Sequence, residues 1–281
     1  MSINIKRVLF SLLYKSLPYV ATNYKFKRTL KSLAPITEEE KLIFRSVLKY
    51  CKVVVDVGAR TDTFYADETQ FTTKQNFLVL LIEVNPLAYE ILKNKTSCME
   101  HVKVINSAIS DSNNSSGEYF WDSQSFLPTN NFGAKGKFKI KKPITFVSLT
   151  DIIKDYKITK IDFLKTDLEG MDFLALIGLG DHLQDISFIQ FELGLGAEYG
   201  NKVVVNQDYW QLLERDFNLF ILKDKNSIFR AYPHLPLLLH LDSTTKILIN
   251  CLQKTGEGFN IFAINKSIGI PVELQSQIMN L

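Results

Sequence analysis

Hydrophobic positions in this chain form short continuous runs that alternate with segments of helical spacing. The run at 53–58, Val-Val-Val-Asp-Val-Gly, is typical of a strand that is covered on both faces of a parallel sheet. Further strands are predicted at 77–82, 102–106, 161–166, 186–191, 217–222 and 259–264. Helices are predicted between several of them, at 86–95, 171–177 and 207–215. This alternation predicts an α/β domain with a mainly parallel sheet and flanking helices.

One more helix is predicted directly before the first strand. Thr37 is suited to cap its N-terminus, and Glu40 stands three residues later, as a capping box requires. Ile43, Phe44 and Val47 follow at helical spacing. We therefore expect this helix to bury one apolar face.

The first 37 residues contain seven basic residues and no acidic residue, although the whole chain has a formal charge of only +3. Apolar residues from Ile5 to Leu17 recur at helical spacing. Two interpretations stay open for residues 1–35: a helix packed on the domain, or a peripheral helix in contact with an anionic membrane. A secretion signal is not favoured, because Lys15 interrupts the apolar stretch and no A-x-A-like cleavage site follows.

The composition indicates which broad class of protein this chain belongs to. The 281 residues are 46% hydrophobic and 22% charged, which is ordinary for a globular chain. No apolar run approaches the roughly 20 residues that cross a bilayer. The three cysteines lack C-x-x-C spacing, which argues against a disulfide framework and favours a reducing compartment. These features predict a cytoplasmic protein, with or without peripheral contact with the inner face of the membrane, and no nucleic-acid partner.

Two segments interrupt the alternation of strands and helices. Residues 111–142 are rich in Ser, Asn, Gly and Lys, with strand-like pieces at 119–121 and 137–140, and are predicted to form a flexible loop or an inserted lid. Residues 223–258, which include a Leu-rich stretch at 233–241, are predicted to form a second one. The expected organisation is a basic helical extension at 1–49 followed by one domain at 50–281.

Acidic residues follow most of the predicted strands. Ligands of open α/β sheets bind at the carboxyl ends of the strands, and four of the five informative ends here carry a carboxylate. These residues are Asp56, Glu83, Asp167 with Glu169, and Glu192. Such a rim repels a pyrophosphate, and neither G-x-G-x-x-G nor a P-loop is present. A cationic nucleoside such as S-adenosylmethionine suits these charges, whereas the structural alternative is that each acid caps the next helix.

Four stretches resemble the successive motifs of the FkbM-type S-adenosylmethionine-dependent methyltransferases. They are Val-Asp-Val-Gly-Ala at 55–59, Glu-Val-Asn-Pro at 83–86, Asn-Ser-Ala-Ile-Ser at 106–110 and Phe-Leu-Lys-Thr-Asp-Leu-Glu-Gly-Met-Asp at 163–172. The resemblance implies a class I methyltransferase (Rossmann-like) fold, with six parallel strands and one antiparallel strand, here at 259–264. It also implies methyl transfer to oxygen on sugars and other small hydroxylated metabolites.

The resemblance further implies a site for S-adenosyl-L-methionine. Asp56 and Gly58 would border the methionine moiety. Glu83 would hold the ribose, whose two hydroxyls match two carboxylate oxygens. Ser107 and Ala108 would lie beside the adenine. The complete set of predicted cofactor contacts is Asp56, Gly58, Ala59, Arg60, Asp62, Glu83, Ser107, Ala108 and Asp167.

Two positions depart from the family's usual D-V-G-A-N-x-G. Arg60 replaces the asparagine and Asp62 replaces the second glycine, so a Cβ and a carboxylate stand where the backbone would approach the cofactor. Asp62 either pairs with the cofactor's ammonium group or caps the next helix. The same substitution supports an alternative function, a catalytically impaired methyltransferase-fold protein that acts as a binding or regulatory partner.

The catalytic prediction centres on the fourth strand end. The resemblance places Asp167 near the transferred methyl group. Methyl transfer to a hydroxyl releases a proton, so either Asp167 or Glu169 is a candidate base, and Lys165 would keep a neighbour ionised. The three side chains share one face if the strand continues, and a structural ion pair is the alternative. No spacing of histidine and acidic residues predicts a metal site.

The leading prediction is an O-methyltransferase that acts on a hydroxyl of a saccharide or saccharide-containing precursor, in a setting such as polysaccharide biosynthesis. The expected partner is therefore a small-molecule or glycan acceptor. Besides this acceptor, the basic segment at 1–35 is the only part of the chain for which a partner is predicted, an anionic membrane.

Overall fold

The computed structural model describes residues 36–70, 77–112, 116–121, 126–128, 140–168, 170–193, 198–199, 202–223, 236–253 and 258–279. The predictions for residues 1–35 and for Glu169 lie outside the described residues. So do parts of the two segments predicted as loops or lids, including 129–139 and 224–235.

The described helices and strands follow each other in the predicted alternation, with additions. In chain order they are α1 (Glu38–Val47), β1 (Val53–Val57), α2 (Phe64–Gln70), β2 (Leu78–Ile82), α3 (Pro86–Lys95), β3 (Val102–Ile105), β4 (Ala108–Ser110), β5 (Ser116–Trp121), β6 (Phe126–Pro128), β7 (Ile140–Ser148), α4 (Leu149–Asp155), β8 (Phe163–Thr166), α5 (Asp172–Ile177), β9 (Phe188–Glu192), β10 (Glu198–Tyr199), β11 (Lys202–Val203), α6 (Asn206–Leu213), β12 (Phe217–Leu222), β13 (Leu238–His240), α7 (Ser243–Gln253), β14 (Asn260–Asn265), α8 (Val272–Gln275) and β15 (Ile278–Met279).

The main sheet has the strand order β15-β13-β12-β14-β9-β8-β1-β2-β3. β3, β2, β1, β8, β9 and β12 run in one direction, and β14 runs antiparallel between β9 and β12. These seven strands confirm the predicted class I methyltransferase arrangement. The additional strands β13 and β15 extend the sheet beyond β12.

An apolar core lies on each face of this sheet, because the buried strands are apolar on both sides. α1 and α2 cover one face, where the ring of Phe44 packs 4.7 Å from that of Tyr65 and 4.9 Å from that of Phe163. α4 to α7 cover the other face. The capping box at the start of α1 is confirmed: Glu40 N donates to Thr37 Oγ1, and Thr37 N donates to the Glu40 carboxylate.

The described parts of 111–142 and 223–258 contain strands and a helix. β5 includes the strand-like piece at 119–121, and β7 begins at Ile140, the last residue of the second piece; both strands join β4 and β6 in a second sheet of order β4-β7-β5-β6. In the later segment, Leu238 and Leu239 are buried and pair with the edge of β12, so this Leu-rich stretch extends the main sheet. α7 follows, with Asp242 accepting hydrogen bonds from the N–H groups of Thr244 and Thr245.

Across the described ranges, every helix is too short or too polar to cross a lipid bilayer.

Candidate functional site

The turn after β1 lies directly against the end of β8. Gly58 has a φ of 84°, and a Cβ at this position would stand 2.2 Å from the Asp167 carbonyl oxygen. Its N–H donates to Ile82 O at 2.9 Å, and the neighbouring Ala59 N–H donates to the same oxygen at 3.2 Å. Glycine is therefore required at 58, both for its conformation and for the close approach of two backbones.

A buried lysine joins the carboxylates at these strand ends. Asp56 and Lys165 are neighbours in the register of β1 and β8. Lys165 Nζ lies 3.4 Å from Asp56 Oδ1 and 3.6 Å from Asp167 Oδ2, and Arg60 Nη2 lies 4.0 Å from Asp167 Oδ1. The side chains of Asp56 and Lys165 are 1% and 5% exposed, whereas that of Asp167 is 30% exposed. Lys165 and Asp167 thus share one face, as predicted, and Asp167 alone of the three reaches solvent.

The charges of this group follow from burial and mutual attraction. Burial raises the pKa of Asp56 to about 6, although the neighbouring Lys165 ammonium opposes the shift. Burial also acts on Asp167, but Lys165 and Arg60 outweigh it and lower the pKa of Asp167. For Lys165, burial is outweighed by the carboxylates of Asp56, Asp167 and Glu40, so its pKa is raised. Asp167 and Lys165 are therefore charged at neutral pH.

Asp56 has unused capacity to accept hydrogen bonds. The Lys165 ammonium lies 3.4 Å from Oδ1, and neither oxygen accepts a well-aligned hydrogen bond from the residues that the structure describes. A buried carboxylate with unfilled acceptor positions is costly unless a ligand fills them. This position is suited to a ligand cation.

Glu83 connects the turns after β1 and β2. It is 6% exposed, its Oε2 accepts from Arg60 N and its Oε1 accepts from Asn85 N, each at 2.7 Å. Burial raises the pKa of Glu83, and these two backbone hydrogen bonds oppose the shift. Each carboxylate oxygen has a second acceptor position, so Glu83 retains the capacity for the diol contact that the sequence predicts.

An apolar cluster separate from the two cores borders Glu83. Ala108 and Phe146 are buried there, and Val84 and Met171 pack against them. The Asn106 side-chain amide donates to the carbonyl oxygens of Glu83 and Val84 at 2.8 and 3.1 Å, which ties this cluster to the end of β2. Ser107 is half-buried and precedes β4. Ala108, a predicted cofactor contact, thus lies in this cluster, whereas Val84, Phe146 and Met171 were not assigned to the site from the sequence.

The turn at 60–62 shows the capping contact that was one of the two alternatives for Asp62. Asp62 Oδ1 accepts from Phe64 N at 2.8 Å, which is a cap at the start of α2. Arg60 adopts a φ of 54°, which is unusual for a residue with a Cβ and is tolerated best by asparagine. Asp62 therefore caps α2, and the backbone N–H of Arg60 donates a hydrogen bond to Glu83.

Three buried polar residues were not assigned to the site from the sequence: Glu40 of α1, Tyr65 of α2 and Gln190 of β9. Gln190 Nε2 donates to Glu40 Oε1 at 2.6 Å, and Gln190 is the register neighbour of Lys165. The hydroxyl of Tyr65 is buried and has no hydrogen-bond partner among the described residues. Gln190 interrupts the apolar strand Phe-Ile-Gln-Phe, and this interruption is the one sequence signal that marks it.

On the opposite face of the sheet, Asp172 begins α5 and is completely buried. Leu168 N donates to Asp172 Oδ2 at 3.3 Å, and Asp172 Oδ1 has no partner in the described part of the chain. Burial raises the pKa of Asp172 to about 7, while hydrogen bonds to its carboxyl group oppose the shift. The hydrogen bond from Leu168 to Asp172 thus holds the segment that follows Asp167 in place. Within the described residues, no three histidine, cysteine or acidic side chains are grouped to hold a metal ion.

Comparisons with known proteins give one matching family and several similar solved structures. The model of the methyltransferase FkbM domain matches residues 56–219. Among solved structures, the methyltransferase FkbM from Methylobacillus flagellatus KT is similar at 17% identity, over 50% of this chain and 32% of that chain, with a TM-score of 0.36. An S-adenosylmethionine-dependent methyltransferase from Aquifex aeolicus matches at 12% identity over 87% of this chain and 97% of that chain, with a TM-score of 0.37. Precorrin-6y C5,15-methyltransferase from Geobacter metallireducens GS-15 matches at 11% identity over 82% and 88%, with a TM-score of 0.41. No curated protein matches the chain.

Proposed function

The chain belongs to the FkbM methyltransferase family, and from this premise we propose which hydroxyl it methylates and how its residues act. Its cofactor is S-adenosylmethionine. The proposed reaction is O-methylation of a hydroxyl on a saccharide or saccharide-containing precursor. The choice of a saccharide rests on the resemblance of the motifs at 55–59 and 163–172 to those of enzymes that methylate sugar hydroxyls.

The buried carboxylate of Asp56 is the observation that carries the cofactor assignment. It accepts no well-aligned hydrogen bond from the described residues and lies beside the glycine turn where the methionine end is predicted. The surrounding cluster has more carboxylates than cations, its charged members being Glu40, Asp56, Glu83 and Asp167 against Arg60 and Lys165. A net negative site of this kind favours the ammonium and sulfonium groups of S-adenosylmethionine.

The other two parts of the cofactor have matching surroundings. Glu83 would accept hydrogen bonds from the ribose hydroxyls, because its two backbone donors leave each oxygen one acceptor position. The apolar cluster of Val84, Ala108, Phe146 and Met171 would hold the adenine ring. These features follow the neighbouring strands β1, β2 and β3 in turn, from Asp56 to Glu83 to Ala108, which is the order of methionine, ribose and adenine in the cofactor.

Asp167 is the residue that would act on the acceptor. S-adenosylmethionine supplies an electrophilic methyl group on a sulfonium centre. An acceptor hydroxyl that takes up this methyl group would have to lose its proton, so a proton acceptor must lie beside it. The lowered pKa of Asp167 keeps it ionised, and an ionised carboxylate is then a sufficient proton acceptor. Lys165 and Arg60 hold this carboxylate at the exposed end of the cluster.

The cofactor assignment is tested by titration calorimetry of the full chain with S-adenosylmethionine, with NAD as the comparison ligand. Glu83→Gln removes one acceptor and the charge, so we expect binding to weaken about tenfold or more. The matched control is Glu90→Gln on the exposed side of α3, for which we expect no change. Unchanged affinity of a folded Glu83→Gln variant would remove Glu83 from the site, and a wild type that ignores S-adenosylmethionine would overturn the function itself.

The acceptor is tested by transfer of a labelled methyl group to a panel of sugar nucleotides and lipid-linked saccharides. Transfer to one of them supports the saccharide O-methyltransferase. The alternative, a catalytically impaired binding or regulatory partner, is supported by Asp62 in place of the family's glycine. It predicts cofactor binding without transfer to any acceptor, and restored transfer on Asp62→Gly would identify this residue as the cause.

A further inference from the structure

α1 precedes the residues that the family model matches, yet its first turn reaches the cofactor cluster. Glu40 is buried, and its carboxylate accepts from Thr37 N at 2.7 Å and from Gln190 Nε2 at 2.6 Å. The first of these hydrogen bonds belongs to the capping box. The second reaches 150 positions along the chain to β9, so it serves more than the local helix.

Gln190 belongs to a polar row that crosses three adjacent strands. Gln190 is the register neighbour of Lys165, and Lys165 is the register neighbour of Asp56. Residues in register on parallel strands project from the same face of the sheet, and this is the face that α1 covers. All three side chains are buried in an otherwise apolar layer. The first turn of α1 therefore covers this row at Gln190, and the other end of the row is Asp56.

We propose that Glu40 is a positioning residue of the cofactor site, which holds Gln190 and shares the charge of Lys165 so that Asp56 stays available to the cofactor's ammonium group. This inference rests on the proposed function. Lys165 Nζ now stands 3.4 Å from Asp56 and 3.6 Å from Asp167. Among the described residues, the carboxylates of Asp56, Asp167 and Glu40 act on Lys165, so that without the negative charge of Glu40 only the first two of these remain to neutralise it. It would then pair more closely with Asp56 and compete with the ammonium group.

The test separates the ammonium end of the ligand from its nucleoside. Wild type and Glu40→Gln are titrated with S-adenosylhomocysteine, which carries the ammonium group, and with 5′-methylthioadenosine, which lacks the amino-acid part. We expect Glu40→Gln to weaken S-adenosylhomocysteine about tenfold, an effect equal to one lost ionic hydrogen bond, and to leave 5′-methylthioadenosine within about twofold. Equal weakening of both ligands would show a general structural effect and overturn the proposal.

Two further variants complete the experiment. Glu38→Gln is the matched control, because it removes a carboxylate from the same helical turn at a side chain that is 78% exposed. The double variant Glu40→Gln with Gln190→Glu moves the carboxylate across the same hydrogen bond and keeps it beside Lys165, so we expect it to regain most of the lost affinity. If Glu40→Gln does not fold, the double variant tests the proposal by itself. The proposal requires the double variant to bind S-adenosylhomocysteine within about threefold of wild type, and weaker binding would overturn it.

Failure of the inference and failure of the proposed function give different results. A wild type that binds S-adenosylhomocysteine, together with a Glu40→Gln variant that behaves like Glu38→Gln, overturns the role of Glu40 and leaves the function intact. A wild type that binds neither ligand overturns both.

Discussion

Two aspartates are buried on opposite faces of the sheet, and their surroundings differ in one respect. Asp56 faces α1 and α2 and has Lys165 as an ion-pair neighbour at 3.4 Å. Asp172 lies at the start of α5 on the other face, where no basic side chain among the described residues lowers its pKa. Burial raises the pKa of Asp56 to about 6 and that of Asp172 to about 7. The Lys165 ammonium therefore favours the charged form of Asp56, whereas no such counter-charge acts on Asp172 among the described residues.

The difference separates a binding group from a structural one. Asp56 is ionised, accepts no well-aligned hydrogen bond in the described structure, and is suited to receive a cation. Asp172 accepts from Leu168 N and fastens the segment that carries Asp167. Asp167 connects the two, because its negative charge raises the pKa of both aspartates. The comparison thus predicts which substitution affects ligand binding, which affects stability and which affects turnover.

The largest expected effect is on turnover in Asp167→Asn. This change keeps the shape of the side chain but removes the proton acceptor, and loss of a general base commonly lowers rates about 10²–10⁴-fold. Turnover is measured with the acceptor that the labelled-methyl panel identifies. Cofactor affinity should change far less than kcat, because the loss is specific to the transition state. Equal activity of Asp167→Asn and wild type would exclude Asp167 as the base and direct attention to Glu169.

Asp172→Asn is the comparison variant for this measurement. It keeps an acceptor for Leu168 N, so we expect kcat to fall by no more than about threefold near pH 7. A fall as large as that of Asp167→Asn would mean that Asp172 takes part in the chemistry, and the separation of binding and structural aspartates would be wrong.

The strands and helices that carry this site could be predicted because the sequence signals for each of them lie within a single element. The β-branched run at 53–57 and the capping box of Thr37 and Glu40 each follow from spacing within one element. The arrangement of six parallel strands and one antiparallel strand was implied by the motif resemblance and is confirmed. Local signals also explain one omission: α2 has the sequence Phe-Tyr-Ala-Asp-Glu-Thr-Gln, whose apolar residues stand together and show no helical period.

The parts of the site that escaped prediction depend on pairing between distant strands. Glu40 and Gln190 are 150 residues apart, and only the register of β8 and β9 brings Gln190 beside Lys165. Asp172 lies within the quoted motif at 163–172, but its burial against the sheet has no signature in the sequence. The capping role of Asp62 was one of two alternatives, since a short acid before a helix suits a cap and a ligand equally.

The next largest effect is on stability. Near pH 8, Asp172→Asn should raise the free energy of unfolding, whereas Asp56→Asn should lower it. The folded-state pKa of Asp172 lies above its ordinary value of 3.8, so the stability it contributes is complete below about pH 4 and is lost as the pH rises through about 7. The loss amounts to at most about 4 kcal/mol, since one unit of pKa shift is worth about 1.4 kcal/mol. Asp172→Asn removes this dependence, so the variant should match wild type near pH 4, and its excess in stability should be smaller at pH 5 than at pH 8.

Asp56→Asn should instead destabilise the protein near pH 8, by about 1–3 kcal/mol, because the buried Lys165 ammonium loses its closest counter-charge. We expect this loss to outweigh the relief of the burial penalty that raises the pKa of Asp56 to about 6. Both variants are compared with wild type by urea unfolding at pH 5 and pH 8. Destabilisation of both variants at pH 8 would contradict the contrast, since it would mean that Asp172 also has a cationic partner.

The smallest expected effect concerns the pH dependence of cofactor binding. Asp56 must be ionised to attract the ammonium group, and its pKa lies at about 6. Affinity for S-adenosylmethionine should therefore rise about tenfold from pH 5 to pH 7.5, with the steepest change near pH 6. Asp56→Asn should bind more weakly and lose most of this dependence, whereas Asp172→Asn should retain it. Calorimetry at pH 5, 6 and 7.5 measures all three proteins. Because burial also raises the pKa of Glu83, a parallel fall in wild type and Asp56→Asn would assign the acid dependence to the ribose contact, and Asp56 would then be as structural as Asp172.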